Sequence, residues 1–374
     1  MIDIVSLYIE LASLSKIEQE KRLLPLKRAY PAAAIELEKM LLVDDIPLSS
    51  SQLLSQQISN QNPMDQNTFI GQQVMGFTIT QLVSESGGMG LVFQGEQRLV
   101  SHDCESEKVH KAAVKILRTN KLNSGQQKAI FFNEASILIA LDHPNVCSIY
   151  GVSEVQGHAC IVMDYIDGLG LDSWIANNNV SQNERLNVFD QLMRAVSYLH
   201  HEQFFHGDIK PQNIIINEQG HLVLIDLGLA SKYQASASEK SHDTIQAFTR
   251  YWSAPEQVLG QKCTAQSDVF SLGVILHYLL TDKVATKMDV DKLNNTELNA
   301  IIKKALSIRP EHRYSNAEAL RKSIRYYQQG LPVQEFSQSG PYLFQKLLKR
   351  KPFTSLTCVL LVYSVATSLW IIFN

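Results

Sequence analysis

The chain is predicted to be an α+β protein of about two domains, on three observations. Its 374 residues, 45% hydrophobic and 19% charged, suffice to bury a large core. Short apolar runs of strand length recur at Phe77-Thr78-Ile79-Thr80, Ala112-Ala113-Val114-Lys115, Ile161-Val162-Met163-Asp164-Tyr165 and Leu222-Val223-Leu224-Ile225. Helical periodicity fills other stretches, among them Phe131 to Leu138, with His143-Pro144-Asn145-Val146 marking where that helix has ended.

The first element is a helical accessory region over residues 1–48. Ile4, Leu7, Tyr8 and Leu11 recur at helical spacing, Ser15-Lys16-Ile17-Glu18 forms a capping box for a second helix, and Pro31 suits the start of a third. Such short amphipathic helices could dock a partner or pack on the next domain. Met1-Ile2-Asp3-Ile4-Val5 lacks the basic stretch and cleavage site of a secretory signal, so the chain is expected to begin in the cytosol. Residues 49–76, dense in Ser, Gln and Asn up to Asn67, are expected to be a polar linker.

The segment His206-Gly207-Asp208-Ile209-Lys210-Pro211-Gln212-Asn213 carries the chemistry, placing an acid, an amine and an amide within eight residues. Thirteen residues later, Asp226-Leu227-Gly228 follows the run from Leu222 to Ile225, which reads as a buried strand delivering a carboxylate to a turn. Either segment alone could be an ordinary polar turn. Together, in this order, they suit phosphoryl transfer, which needs positioning and charge neutralisation more than covalent help. Asp208 would orient the proton of an attacking hydroxyl and Lys210 would sit against the phosphate. Asn213 and Asp226 would hold Mg²⁺ through hard oxygen ligands.

From about Phe77 to Tyr327 the motifs resemble those of the eukaryotic-type Ser/Thr protein kinases, and in particular of bacterial members. The resemblance implies a two-lobed fold over residues 77–327, with a small β-rich lobe, a larger helical one, and ATP and Mg²⁺ between them. Ser86-Gly87-Gly88-Met89-Gly90-Leu91-Val92 resembles the glycine-rich loop, so Gly87, Gly88, Gly90 and Val92 would cover the nucleotide. Lys115, with Ala113 on the same strand, matches the lysine that contacts the phosphates, and Glu134 matches its glutamate partner. Asp164 and Tyr165 fall in the segment joining the lobes, where backbone groups bind adenine. Thr249-Arg250-Tyr251-Trp252-Ser253-Ala254-Pro255-Glu256 resembles the end of the activation segment, with Thr249 beside the substrate hydroxyl. Glu256 would pair with Arg313 in a buried ion pair. Asp268 would brace the catalytic loop from the start of a central helix, or simply cap that helix.

Two departures from the family pattern bear on activity. Glu85 replaces the first loop glycine and would bring a carboxylate towards the nucleotide. Gly207 replaces the arginine that couples activity to activation-segment phosphorylation in many kinases. Constitutive or partner-controlled activity is therefore expected. Two competing readings are a membrane-tethered pseudokinase scaffold and a small-molecule kinase, which the His-Gly-Asp form also resembles. Lys210, Thr249 and the full segment ending at Glu256 favour protein Ser and Thr substrates, including the chain itself.

The last expected elements are a juxtamembrane linker over residues 328–352 and a transmembrane helix over residues 353–373. The latter stretch carries no charge and is long enough to span a bilayer core of roughly 30 Å. Lys346, Lys349, Arg350 and Lys351 precede it, which predicts a cytosolic flank and a single-pass anchor, and the resemblance to bacterial members implies an inner membrane. A buried C-terminal helix is the alternative. The formal net charge of −3 leaves no electrostatic footprint for nucleic acid. Five scattered cysteines, without CxxC spacing, argue against a disulfide framework or a metal site.

Overall fold

The computed structural model describes residues 11, 16–30, 34, 66–86, 90–99, 108–117, 138–177, 180–227, 252–259, 261–284 and 295–350. Helix α1 (Lys16–Ala29) begins directly after Ser15, where the capping-box pattern placed a helix start. The segments expected to form the first accessory helix and the membrane span, residues 1–10 and 353–373, lie outside the described residues. Among the described residues no helix is long and apolar enough to cross a membrane.

Six strands then form one antiparallel sheet in the order β1-β2-β3-β4-β6-β5. They are β1 (Gln73–Val74), β2 (Phe77–Ser86), β3 (Gly90–Leu99), β4 (Lys108–Leu117), β5 (Ile149–Val155) and β6 (His158–Asp164). Two features differ from the sequence reading. Residues 66–76 are no free linker: Phe69 and Val74 are buried, and β1 pairs with β2. Nor did the runs read from the sequence include a strand between the glycine-rich segment and that of Lys115, where β3 lies and pairs with both β2 and β4.

Period-two alternation decides what each strand offers to each side. Ala112, Val114 and Ile116 face a small core with Phe77, Ile79, Leu91, Phe93, Cys160 and Val162. Ala113, Leu117, Ile161 and Met163 face the other way, into the main core. Lys115 lies between Ala113 and Leu117 on that second face, so the alternation itself aims its ammonium at the cleft. The tight β5–β6 turn places Gln156 and Gly157 at φ 50° and 78°, the left-handed pair that suits a two-residue hairpin.

The second lobe is mainly helical. After β7 (Leu169–Gly170) come α2 (Leu171–Asn177) and α3 (Gln182–His201), the latter opened by Ser181 and Glu184 in a reciprocal capping box. Strand β8 (Ile214–Ile216) pairs with β7 on one side and with β9 (Leu222–Leu224) on the other, making a three-stranded sheet. Helices α4 (Pro255–Val258), α5 (Ala265–Thr281), α6 (Thr296–Ala305) and α7 (Ala317–Gln328) follow, with α5 packed against α3, α6 and α7. Eleven of its seventeen residues are buried, which fits a central position.

Residues 328–352 also depart from expectation. The sequence reading made them a linker, but Val333 is buried and helix α8 (Gly340–Arg350) docks on the lobe. Tyr342 Oη accepts from Val333 N at 2.9 Å, and Lys346 Nζ donates to Glu297 Oε2 at 2.7 Å.

Candidate active site

The loop between α3 and β8 folds around Asp208. Its carboxylate is buried, and Oδ2 accepts from Lys210 Nζ at 2.6 Å and from Asn213 Nδ2 at 3.1 Å. Asn213 Nδ2 also donates to Asp208 O at 2.8 Å, so the amide closes the loop on itself and leaves its Oδ1 as the remaining acceptor. Asp208 Oδ1 is buried yet takes no hydrogen bond from any described residue. A buried acceptor left unmade is costly and calls for a reason.

The backbone just before Asp208 is pinned on both sides. Asp208 N donates to His206 Nδ1 at 3.2 Å, which leaves Nε2 as the nitrogen that donates to Ile225 O at 3.3 Å. Gly207 O accepts from Gln257 Nε2 at 2.8 Å, while Gln257 Oε1 accepts from Ala254 N at 3.1 Å. Gly207 sits at φ +75°, in the left-handed region, and a Cβ there would lie 3.3 Å from Cys263 Sγ. The conformation therefore favours glycine at this position.

Opposite Asp208, the ammonium of Lys115 meets Asp226 Oδ1 at 2.5 Å. Asp226 follows β9 at φ +61°, an uncommon backbone for a non-glycine residue. Burial alone would raise its pKa, but the charge and hydrogen bond of Lys115, with His206 and Lys210 nearby, hold the carboxyl below its ordinary value. Asp226 thus stays an anion beside the cleft. Behind the pair lies a pocket lined by Leu117, Leu138, Ile149, Ile161, Met163 and Leu227. Cys147 lines it too, and burial, then the charge of Asp164, pushes its thiol up to about 12.

A second layer braces these groups. Asp268 Oδ2 accepts from His206 N at 2.9 Å and Oδ1 from Gly207 N at 2.8 Å. His200 Nδ1 accepts from Ala317 N, so its Nε2 is the nitrogen that donates to Asp268 Oδ2 at 3.0 Å. The alternative reading of Asp268 as a helix cap is corrected here: Thr264 caps α5, and Asp268 lies a turn inside it. Arg313 meets Glu256 through two parallel bonds of 2.7 and 2.8 Å. Its other N–H groups donate to the carbonyls of Ser307, Gln266 and Ile308, and Ser267 Oγ donates to Glu256 Oε1. Burial opposes the charge of Glu256, but Arg313 and Ser267 outweigh it and hold the pKa below the ordinary value.

The structure thus brings Asp208, Lys210, Asn213, Lys115 and Asp226 to one cleft, with Glu256, Arg313 and Asp268 beneath it. Gly90 opens β3, where a Cβ would collide with Ile116 O, so close strand approach already demands a glycine there. Val92 pairs with Lys115, and Ala113 with Met163, on the cleft-facing side. Asp164 is different. Its side chain turns to the opposite face, where Oδ1 accepts from Tyr150 Oη at 2.5 Å, so only its backbone is left to serve the cleft. Tyr165 lies under Lys111, 5.6 Å from ring centre to ammonium. Gly87, Gly88, Glu134, Thr249 and the side chain of Glu85 lie outside the described residues. Sequence reasoning missed Gln257, His200 and Tyr150. Only the first had a local signal, three residues after Ala254 at the capping-box spacing.

The protein kinase domain model matches residues 89–365. The serine/threonine-protein kinase PrkC of Bacillus subtilis is 30% identical over 276 residues, covering 68% of this chain and 41% of that protein. The probable serine/threonine-protein kinase PknB of Lactococcus lactis is 32% identical over 199 residues, 53% of this chain and 30% of that protein. The chain therefore spans less than half the length of these curated relatives. In fold, the kinase domain of Mycobacterium tuberculosis PknI aligns with a TM-score of 0.53 and 20% identity, covering 70% of this chain and 99% of that one.

Proposed function

Since this chain belongs to the protein kinase domain family, we propose that it transfers the γ-phosphoryl group of ATP to Ser and Thr hydroxyls of proteins, its own included. The half-used carboxylate of Asp208 carries this reading. Lys210 and Asn213 occupy Oδ2, so Oδ1 is the oxygen left to accept a proton. A substrate hydroxyl placed there would give its proton to Oδ1 as it attacks phosphorus.

The remaining groups divide the work. Lys210 lies against Asp208 and offers a cation to the transferring phosphoryl oxygens. Lys115, aimed at the cleft by strand alternation, would offer its ammonium to the other phosphates of ATP. Asn213 Oδ1 and the Asp226 carboxylate are hard oxygen donors, which suits a divalent cation of the magnesium type. Such an ion would supply charge neutralisation on the phosphate oxygens. Phosphotransfer from γ-labelled ATP to a generic basic protein, measured for the wild type and Asp208→Asn, tests the reading. The variant is expected to lose about 10²–10⁴-fold in rate. Equal labelling by both would instead favour a scaffold without catalysis.

Gly207 supports phosphate-independent activity, because a side chain at φ +75° and 3.3 Å from Cys263 is disfavoured where an arginine would receive phosphate. For location, the uncharged stretch 353–373 and the basic residues before it support a single-pass anchor with the catalytic domain in the cytosol. Carbonate extraction of the full chain, compared with a chain ending at Pro352, tests the anchor. Release of both alike would end that reading.

A further inference from the structure

Helix α8 docks with the wrong side out for a protein in water. Tyr342 and Lys346 hold it to the lobe through Val333 and Glu297, so its polar side faces the protein. Leu343, Phe344 and Leu347 point the other way and are 37%, 52% and 53% exposed. At about 100° per residue these three side chains fall within a single outward arc, roughly opposite Tyr342 and Lys346. Phe336, 40% exposed, precedes the same helix. Lys349 and Arg350, both exposed, close its last turn, and Lys351 follows in the sequence. An outward apolar stripe beside clustered cations is the pattern of a helix that lies in a bilayer interface.

We propose that α8 is such a helix, seated by Leu343, Phe344 and Leu347 on a membrane surface that carries anionic headgroups. The inference rests on the anchor reading of residues 353–373 and sharpens it. Only Lys351 and Pro352 separate Arg350 from Phe353, and extended chain spans at most about 3.5 Å per residue. An anchor entering the bilayer at Phe353 therefore keeps the end of α8 within about 10 Å of the hydrocarbon edge. With the stripe turned to lipid, Arg350, seven residues after Leu343 and so on the same side of the helix, stands level with the headgroups, whereas Lys349, seven residues after Tyr342, lies on the docked side. The large lobe is then held by two attachments and keeps one orientation to the membrane.

The test uses the full chain in nanodiscs of phosphatidylcholine and phosphatidylglycerol, with and without lipid brominated near the top of the acyl chain. Phe344→Trp and Gln345→Trp each add one indole to Trp174, Trp252 and Trp370, and Trp370→Phe isolates the signal of the anchor. For insertion to about 5–10 Å depth, brominated lipid should remove about half or more of the emission added by Phe344→Trp. The emission added by Gln345→Trp should stay unchanged. If Trp370 is quenched while the indole at 344 is not, the anchor stands and the interfacial helix is wrong. A blue-shifted but unquenched indole at 344 would equally overturn it, because protein rather than lipid would then cover the stripe. An unquenched Trp370 would remove the anchor, and the proposal with it.

Discussion

Two charged clusters lie close together in the large lobe and are built on opposite principles. In the Glu256–Arg313 cluster every guanidinium N–H has a partner, and Ser267 takes up a further lone pair of the carboxylate. Around Asp208 the cluster stops short: Oδ2 is held twice and Oδ1 by none of the described residues. A buried charge is tolerable when fully matched and costly when it is not. The first cluster therefore stabilises the fold, and the second keeps an unspent acceptor for a reaction. Completeness of bonding separates the two roles better than burial does, since both carboxylates are equally buried, at 7% exposure.

Breaking the saturated cluster should have the largest effect. Arg313→Met leaves Glu256 buried without its cation and should cost about 3–5 kcal/mol in stability, read by denaturant or thermal unfolding. Asp208→Asn should move the unfolding curve far less, because the amide oxygen can keep both bonds of Oδ2 and only the ion pair with Lys210 loses its charge. If the two variants unfolded alike, the contrast between the clusters would be wrong.

A smaller effect is expected where the clusters join. Gln257 ties Ala254 N to Gly207 O, and Gly207 precedes Asp208 directly. Gln257→Met keeps the shape and removes both bonds, so kcat should fall about 2–10-fold, the worth of one to two hydrogen bonds. KM for ATP should not change, since no described contact of Gln257 reaches Lys115 or Asp226. A matching rise in KM with constant kcat would show that Gln257 does not position Asp208.

The smallest signal is a pH dependence. The pKa of Glu256 in the folded chain lies below its ordinary value of 4.5, so the pair contributes stability above that value. The contribution is lost as pH falls through the lowered pKa. The difference in melting temperature between wild type and Glu256→Gln should hold constant from neutral pH down to about pH 5 and shrink below about pH 4. A difference that grew on acidification would contradict the assigned sign.

The comparison also explains what could be read from the sequence. Asp208, Lys210 and Asn213 lie within six residues, so their convergence is a local property that the chain order already displays. The Glu256–Arg313 pair spans 57 residues and was legible only through the family resemblance. His200 and Tyr150 bind groups distant in sequence, and nothing in a lone His or Tyr distinguishes a brace from a surface residue; the spacing of Gln257 from Ala254 was legible, but its reach to Gly207 was not. Strand β1 escaped because two residues in polar surroundings carry no periodicity. Helix α8 escaped for the opposite reason: its periodicity is plain, but its apolar side faces outwards, so the pattern alone suggested no docking partner.

The lead-in to β5 is stitched to the strand that delivers Asp226. Cys147 N donates to Leu224 O, Leu224 N to Asn145 O, and Asn145 Nδ2 to Leu222 O. These three bonds tie the six-stranded sheet, which carries Lys115, to the three-stranded sheet, which delivers Asp226. The ion pair of Lys115 and Asp226 at 2.5 Å is thus a side-chain rivet between two sheets that the main chain already joins.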